Sequence, residues 1–143
     1  KQVAPSVDGS FWTVTPTSVT QQFAGQTQVF QMENVRSIAP ISGGAWVASA
    51  KGLFRLASDK SIQPINDSPT THVAAHANAV WRVLEDGLLC GPTLKNARCY
   101  DLYQSDPNFE THSLLADEQG VWVGTSRGVY RVLGQGYSIE SND

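Results

Sequence analysis

Gly120-Val121-Trp122-Val123-Gly124-Thr125-Ser126-Arg127-Gly128-Val129-Tyr130-Arg131-Val132 decides the fold, because most of this phrase occurs twice. Gly44-Ala45-Trp46-Val47-Ala48-Ser49-Ala50-Lys51-Gly52-Leu53-Phe54-Arg55-Leu56 matches it in residue class at nearly every position, without a gap. A third copy, Trp81-Arg82-Val83-Leu84-Glu85-Asp86-Gly87-Leu88-Leu89-Cys90, keeps the tryptophan and the glycine six residues after it. That glycine recurs at the same distance in a chain holding 12 glycines among 143 residues, which chance does not explain. The tryptophans stand at 12, 46, 81 and 122, so the spacings are 34, 35 and 41 residues. A fixed period of this size marks a repeated supersecondary unit. The copy at Trp12 is degenerate: Phe11-Trp12-Thr13-Val14-Thr15 fits, but Ser18 stands where the glycine should be, and Pro16 disturbs the hairpin.

Each unit parses as four short strands. The first is Ser37–Ile41, His72–Ala75 or Ser113–Ala116; the second carries the tryptophan; the third begins at the glycine; the fourth is a run such as Ser61–Ile65 or Gly136–Glu140. Lys51-Gly52, Asp86-Gly87 and Arg127-Gly128 read as tight hairpins whose glycine takes a positive φ that a Cβ would penalise. Residues two apart in a strand share a face, so Trp46 lies with Ala48 and Ala50, and Trp122 with Gly124 and Ser126. A large ring beside small residues suits the packing of one small sheet on the next. Val73 to Val83 offers the best helical period, but it lacks a polar face and aligns with strands of its sister repeats. The expectation is an all-β, β-propeller-like array of about four antiparallel blades, a small closed ring or a partial propeller. It forms one domain over 1–143, with units at about 3–34, 37–68, 72–108 and 112–141.

The phrases at Trp46 and Trp122 resemble the two-component regulator propeller repeat, whose pattern is close to G-x-hydrophobic-W-hydrophobic-G-T-x-x-G-hydrophobic-aromatic-R. The last copy is a near-complete match; the copy at Trp81 lacks the Gly-Thr and the aromatic-Arg, and the copy at Trp12 is weak. The resemblance covers roughly residues 3 to 140. It implies a periplasmic propeller of a bacterial membrane sensor, with a histidine kinase, a diguanylate cyclase or a DNA-binding regulator as the cytoplasmic partner. It also carries a precedent for homodimers or for association with further blades. The motif residues Trp12, Trp46, Trp81, Trp122, Gly52, Gly87 and Gly128 build a blade and name no ligand.

Composition narrows the function. Charged residues make up 16% and the formal net charge is -3. The basic residues are scattered, which argues against nucleic acid, since phosphate binding needs clustered Lys and Arg. No apolar stretch approaches the ~20 residues needed to span a bilayer, and no signal peptide is visible at Lys1. Cys90 and Cys99 flank a segment, Gly91 to Arg98, that reads as a hairpin loop. They are either two buried thiols or one local disulfide, and the disulfide favours an oxidising compartment. Two thiols without a neighbouring His or CxxC pair do not complete a metal site.

Little in the sequence reads as chemistry. His72 and His76 have the i, i+4 spacing of a zinc motif, but in a strand their side chains lie ~13 Å apart, so no metal is expected. His112 reads as an isolated surface residue. Glu85-Asp86 and Asp117-Glu118 fall at turns, where carboxylates cap amides. No catalytic residue and no cofactor is expected. Trp46, Trp81 and Trp122 read as core residues, not sugar platforms, because they occupy equivalent positions. The spacing grows to 41 around Tyr100-Asp101-Leu102-Tyr103-Gln104-Ser105-Asp106-Pro107-Asn108-Phe109. Insertions map to loops, so Tyr100, Tyr103 and Phe109 are the candidate ligand or partner contacts. The expected function is a non-catalytic, extracytoplasmic sensor segment that binds a small molecule, a glycan or a protein. The alternatives are a stand-alone lectin-like or protein-binding propeller and, behind it, a propeller-fold lyase or glycosidase.

Overall fold

The computed structural model describes residues 2–57, 59–95, 97–102, 108–133 and 139–142. Among these, every regular element is a strand, and the strands form four four-stranded antiparallel meanders. Sheet one comprises β1 (Gln2–Pro5), β2 (Phe11–Val14), β3 (Ser18–Phe23) and β4 (Gln26–Gln31). Sheet two comprises β5 (Val35–Ile41), β6 (Gly44–Ser49), β7 (Gly52–Ala57) and β8 (Ile62–Asn66). Sheet three comprises β9 (Thr70–His76), β10 (Ala79–Leu84), β11 (Leu88–Gly91) and β12 (Arg98–Asp101), and sheet four β13 (Thr111–Ala116), β14 (Gly120–Thr125), β15 (Gly128–Leu133) and β16 (Ile139–Asn142). Val73 to Val83 is therefore a hairpin of β9 and β10, as the strand register requires. The last described strand is Ile139–Asn142, and Gly136 lies outside the described residues.

The repeated hairpin is built as its residues dictate. Gly52, Gly87 and Gly128 have φ of 128°, 94° and 116°. A Cβ on Gly52 would run into the Asn66 carbonyl, so this position excludes side chains on space as well as on φ. The hydroxyl three residues before the glycine completes the turn. Ser49 Oγ donates to the Gly52 carbonyl and accepts the Lys51 amide; Thr125 Oγ1 donates to the Gly128 carbonyl and accepts the Arg127 amide. At Trp81 the equivalent position is Leu84, which has no hydroxyl. There the Gly87 amide donates to the Leu84 carbonyl, the Asp86 carboxylate accepts the Leu88 amide, and β11 starts one residue after the glycine. The first copy does without glycine: Thr15 to Ser18 closes the turn, with the Thr15 amide on the Ser18 carbonyl and the two hydroxyls 2.8 Å apart. Pro16 is tolerated at this corner, where its fixed φ suits a tight turn.

The chain forms two compact units, Lys1–Thr71 and His72–Asp143. In the first, Trp12, Val14 and Val19 of sheet one pack with Ile38, Ala45, Val47 and Leu56 of sheet two. Trp12 is fully buried and stacks on Phe30 at 5.9 Å. In the second, Trp81, Val83 and Leu89 of sheet three pack with Val121, Val123 and Val132 of sheet four. The two cores follow one rule: the tryptophan face of one sheet meets the face on the other side of the next sheet's tryptophan strand.

Asp8, in the β1–β2 turn, ties two turns of the first unit together. One carboxylate oxygen accepts the Ser10 amide and hydroxyl, and the other accepts the Gly43 amide of the β5–β6 turn. These bonds, the Ser10 hydroxyl foremost, hold its pKa down at about 2 from 3.8.

Two outcomes follow from this architecture. Gly52→Ala costs about 2–3 kcal/mol, from backbone strain and the collision with Asn66, read as a fall in the urea midpoint. A carboxylate with a depressed folded pKa stabilises fully above its unfolded pKa and loses that contribution as pH falls through the folded value. The urea midpoint of the native chain therefore drops as pH falls from 3.8 towards 2, and Asp8→Asn loses this part of the profile.

Candidate functional site

Tyr100 lies on β12, partly buried against the core of the second unit. Phe109 is only 5% exposed and stacks on Tyr130 at 6.1 Å. It belongs to the core and offers no surface to a ligand. Leu102, between them in sequence, is buried in the same cluster. Tyr100, Leu102 and Phe109 of the inserted segment thus close the hydrophobic core that includes Val132 of β15. Tyr103 lies outside the described residues.

Cys90 and Cys99 are joined in a disulfide and stand directly opposite each other on β11 and β12. The pairing follows from the hairpin: antiparallel partners face each other across the turn that separates them. Gly91 continues this strand under the Trp81 ring, where a Cβ would collide with the indole.

The tryptophans of β6 and β14 have a different environment from those of β2 and β10. The register sets Trp46 opposite Arg55 and Trp122 opposite Arg131. Each guanidinium lies over the ring, at 5.0 Å for Arg55 and 4.4 Å for Arg131. The aromatic-Arg ending of the repeat thus has two roles, the aromatic facing the core and the arginine covering the indole. In sheet four the arrangement is locked by Asp117, which accepts bonds from both Arg131 terminal nitrogens (2.9 and 3.2 Å) and from Trp122 Nε1 (3.2 Å). Arg131 also reaches Gln119 Oε1 at 3.0 Å. The Arg131 guanidinium, with the Gln119 and Gly120 amides, holds the Asp117 carboxyl well below the usual carboxylate range. Asp117 does cap a turn, as expected of a carboxylate there, and it also anchors the repeat's arginine.

His72 and His76 both lie on β9, as a strand pair. His72 is brought instead against His112 of β13, to whose backbone it hydrogen-bonds, so His112 is not isolated. Burial, first, and the neighbouring His112 charge push the His72 pKa down. Among the described residues, no three of His, Cys, Asp and Glu converge where a metal ion could be held.

A concave feature lies in the first unit. It is a cleft of about 390 Å³ between the end of β4 and the β6–β7 hairpin. Met32, Phe54 and Ile62 form its apolar part, Thr17, Gln31 and Ser49 are polar, and Glu33 and Lys51 place opposite charges on its rim. No sequence signal marks this cleft, because its residues come from separate repeats and only Ser49, Lys51 and Phe54 belong to the repeat phrase. Among the described residues, no helix is long and apolar enough to cross a membrane.

No protein-family model and no curated protein matches the sequence. Solved structures do match in fold. A catalytically inactive virginiamycin B lyase from Staphylococcus aureus with quinupristin aligns with a TM-score of 0.73 and 14% identity, over 99% of this chain and 54% of that one. BamB from Moraxella catarrhalis aligns at 0.69 and 13% identity, over 96% and 46%. The extracellular domain of BT4673 from B. thetaiotaomicron, a protein ascribed to the hybrid two component systems, aligns at 0.63 and 14% identity, over 98% and 27%. The chain spans about half or less of each of these structures. What they share with it is an all-β fold of small antiparallel sheets, that of a partial β-propeller.

Proposed function

We propose that this chain is an extracytoplasmic, non-catalytic binding segment of a bacterial transmembrane signalling protein. The observation that carries the reading is the Cys90–Cys99 disulfide, set in a repeat fold. A disulfide of this kind persists in an oxidising compartment and is rare in the cytosol. The repeat phrase at Trp122 supports the same reading. So do the extracellular domains of B. thetaiotaomicron two component proteins that share the fold over 98% and 99% of this chain. The mode of action is differential binding: a ligand favours one arrangement of the receptor over another by its difference in affinity for the two.

The cleft of the first unit is the proposed ligand site. Its volume lies within the range of small-molecule sites. An apolar floor of Met32, Phe54 and Ile62 beside the Glu33 carboxylate and Lys51 ammonium suits a small amphipathic molecule carrying both an apolar group and a polar or charged one.

Two measurements test this. In protein taken from its native cells, Cys90 and Cys99 resist alkylation until a reductant is added; a freely alkylated pair refutes the extracytoplasmic reading. In a thermal-shift panel of apolar amino acids, short peptides and neutral sugars, at least one compound raises the melting temperature saturably. Lys51→Ala then weakens that compound about tenfold and leaves the melting temperature of the free protein unchanged. A panel without a response, or one unaffected by Lys51→Ala, removes the cleft from the proposal.

A further inference from the structure

The cleft of the first unit is framed by backbone hydrogen bonds, and its two charges leave one end of a strand ladder. The Met32 amide donates to the Thr17 carbonyl at 3.2 Å, which fixes the end of β4 on the β2–β3 turn. The Ala50 amide donates to the Asn34 carbonyl at 3.2 Å, one step beyond the pair that Val35 of β5 makes with Ser49 of β6. Glu33 precedes Asn34 and Lys51 follows Ala50, so both charges start from the same end of this ladder. Both are exposed, and both line the cleft. They do not pair with each other.

Two unpaired opposite charges beside one apolar floor restrict the ligand. A molecule with a single carboxylate satisfies Lys51 but brings its charge beside Glu33, and a simple amine does the reverse; like charges set side by side select against both. A neutral sugar leaves each rim charge without a counter-charge. A peptide carries an ammonium and a carboxylate, but every added residue parts them by up to about 3.5 Å. A free amino acid holds both groups on one carbon, which matches charges that leave the same ladder end. Its side chain then meets Met32, the partly buried Phe54 and Ile62, which is 39% exposed. An apolar lining with a few placed polar groups is the ordinary make-up of a small-molecule site.

We propose that this cleft binds a free α-amino acid with an apolar side chain, Glu33 accepting from its ammonium and Lys51 donating to its carboxylate. The inference rests on the cleft being the ligand site and adds the class of ligand that it takes. Hydrogen bonds between charged groups are the stronger kind, and one at each end sets the orientation of the ligand. The apolar floor then selects the side chain by its fit.

Titration calorimetry with L-leucine, L-methionine and L-phenylalanine, and with the N-acetyl and amide derivatives of each, tests it. At least one of the three amino acids binds the native chain, and loss of either charge in its derivatives weakens binding about tenfold. The losses cross over in two variants whose melting temperatures match the native chain. Glu33→Gln weakens the amino acid and its amide but not its N-acetyl derivative; Lys51→Ala weakens the amino acid and its N-acetyl derivative but not its amide. An amino acid that binds as well after N-acetylation or amidation overturns the proposal, as does one that neither variant weakens. If a neutral sugar or a short peptide binds in a Lys51-dependent way while none of the three amino acids does, this inference falls and the cleft remains the ligand site. If no compound of either kind binds, both fall together.

Discussion

The packing of a tryptophan face onto a flat β-branched face is the contact on which the rest depends. Each sheet is a single repeat of four strands, four to seven residues long, and cannot bury its apolar face alone. Trp12 and Trp81 supply the missing area, and Val47 and Val121 with Val123 give them a surface without protrusions. The other recurrent features serve that contact. The hairpin glycine and its hydroxyl partner set the register, and the register decides which side chain lies beside the indole.

The identity of that neighbour divides the repeats into two kinds. Gln21 and Gly91 stand beside Trp12 and Trp81, whose rings are fully buried. Arg55 and Arg131 cover Trp46 and Trp122 with a cation. An arginine stacked on an indole adds both dispersion and electrostatic attraction to the ring face. It also keeps polar contacts available, as the Arg131–Asp117 pair does. One repeat phrase thus produces two surface chemistries, and the difference sits in a single cross-strand position.

Polar side chains are used mainly at turns. Asp8, Asp59, Asp86 and Asp117 each accept backbone amides from the residues that follow them. With so few charged residues in the chain, ionised carboxylates are spent on fixing corners more than on pairing with cations. The folded state favours the charged form of Asp8, through the Ser10 hydroxyl first, and of Asp117, through Arg131 first and then the Gln119 and Gly120 amides.

Local residue pattern determined the strands, their faces, the hairpin glycines and the absence of a helix over Val73 to Val83. These features depend on φ preference and on period-two alternation, both of which act within one unit. The juxtaposition of Cys90 with Cys99 was legible for the same reason, as a hairpin places its ends together. Only the tertiary structure decided that Phe109 is buried on Tyr130, that His72 meets His112 and not His76, and that Gln31, Phe54 and Ile62 line one cleft. Each of these brings together residues from different sheets or different strands. Their proximity depends on how one sheet packs against the next, and the sequence of a single repeat carries no record of that packing.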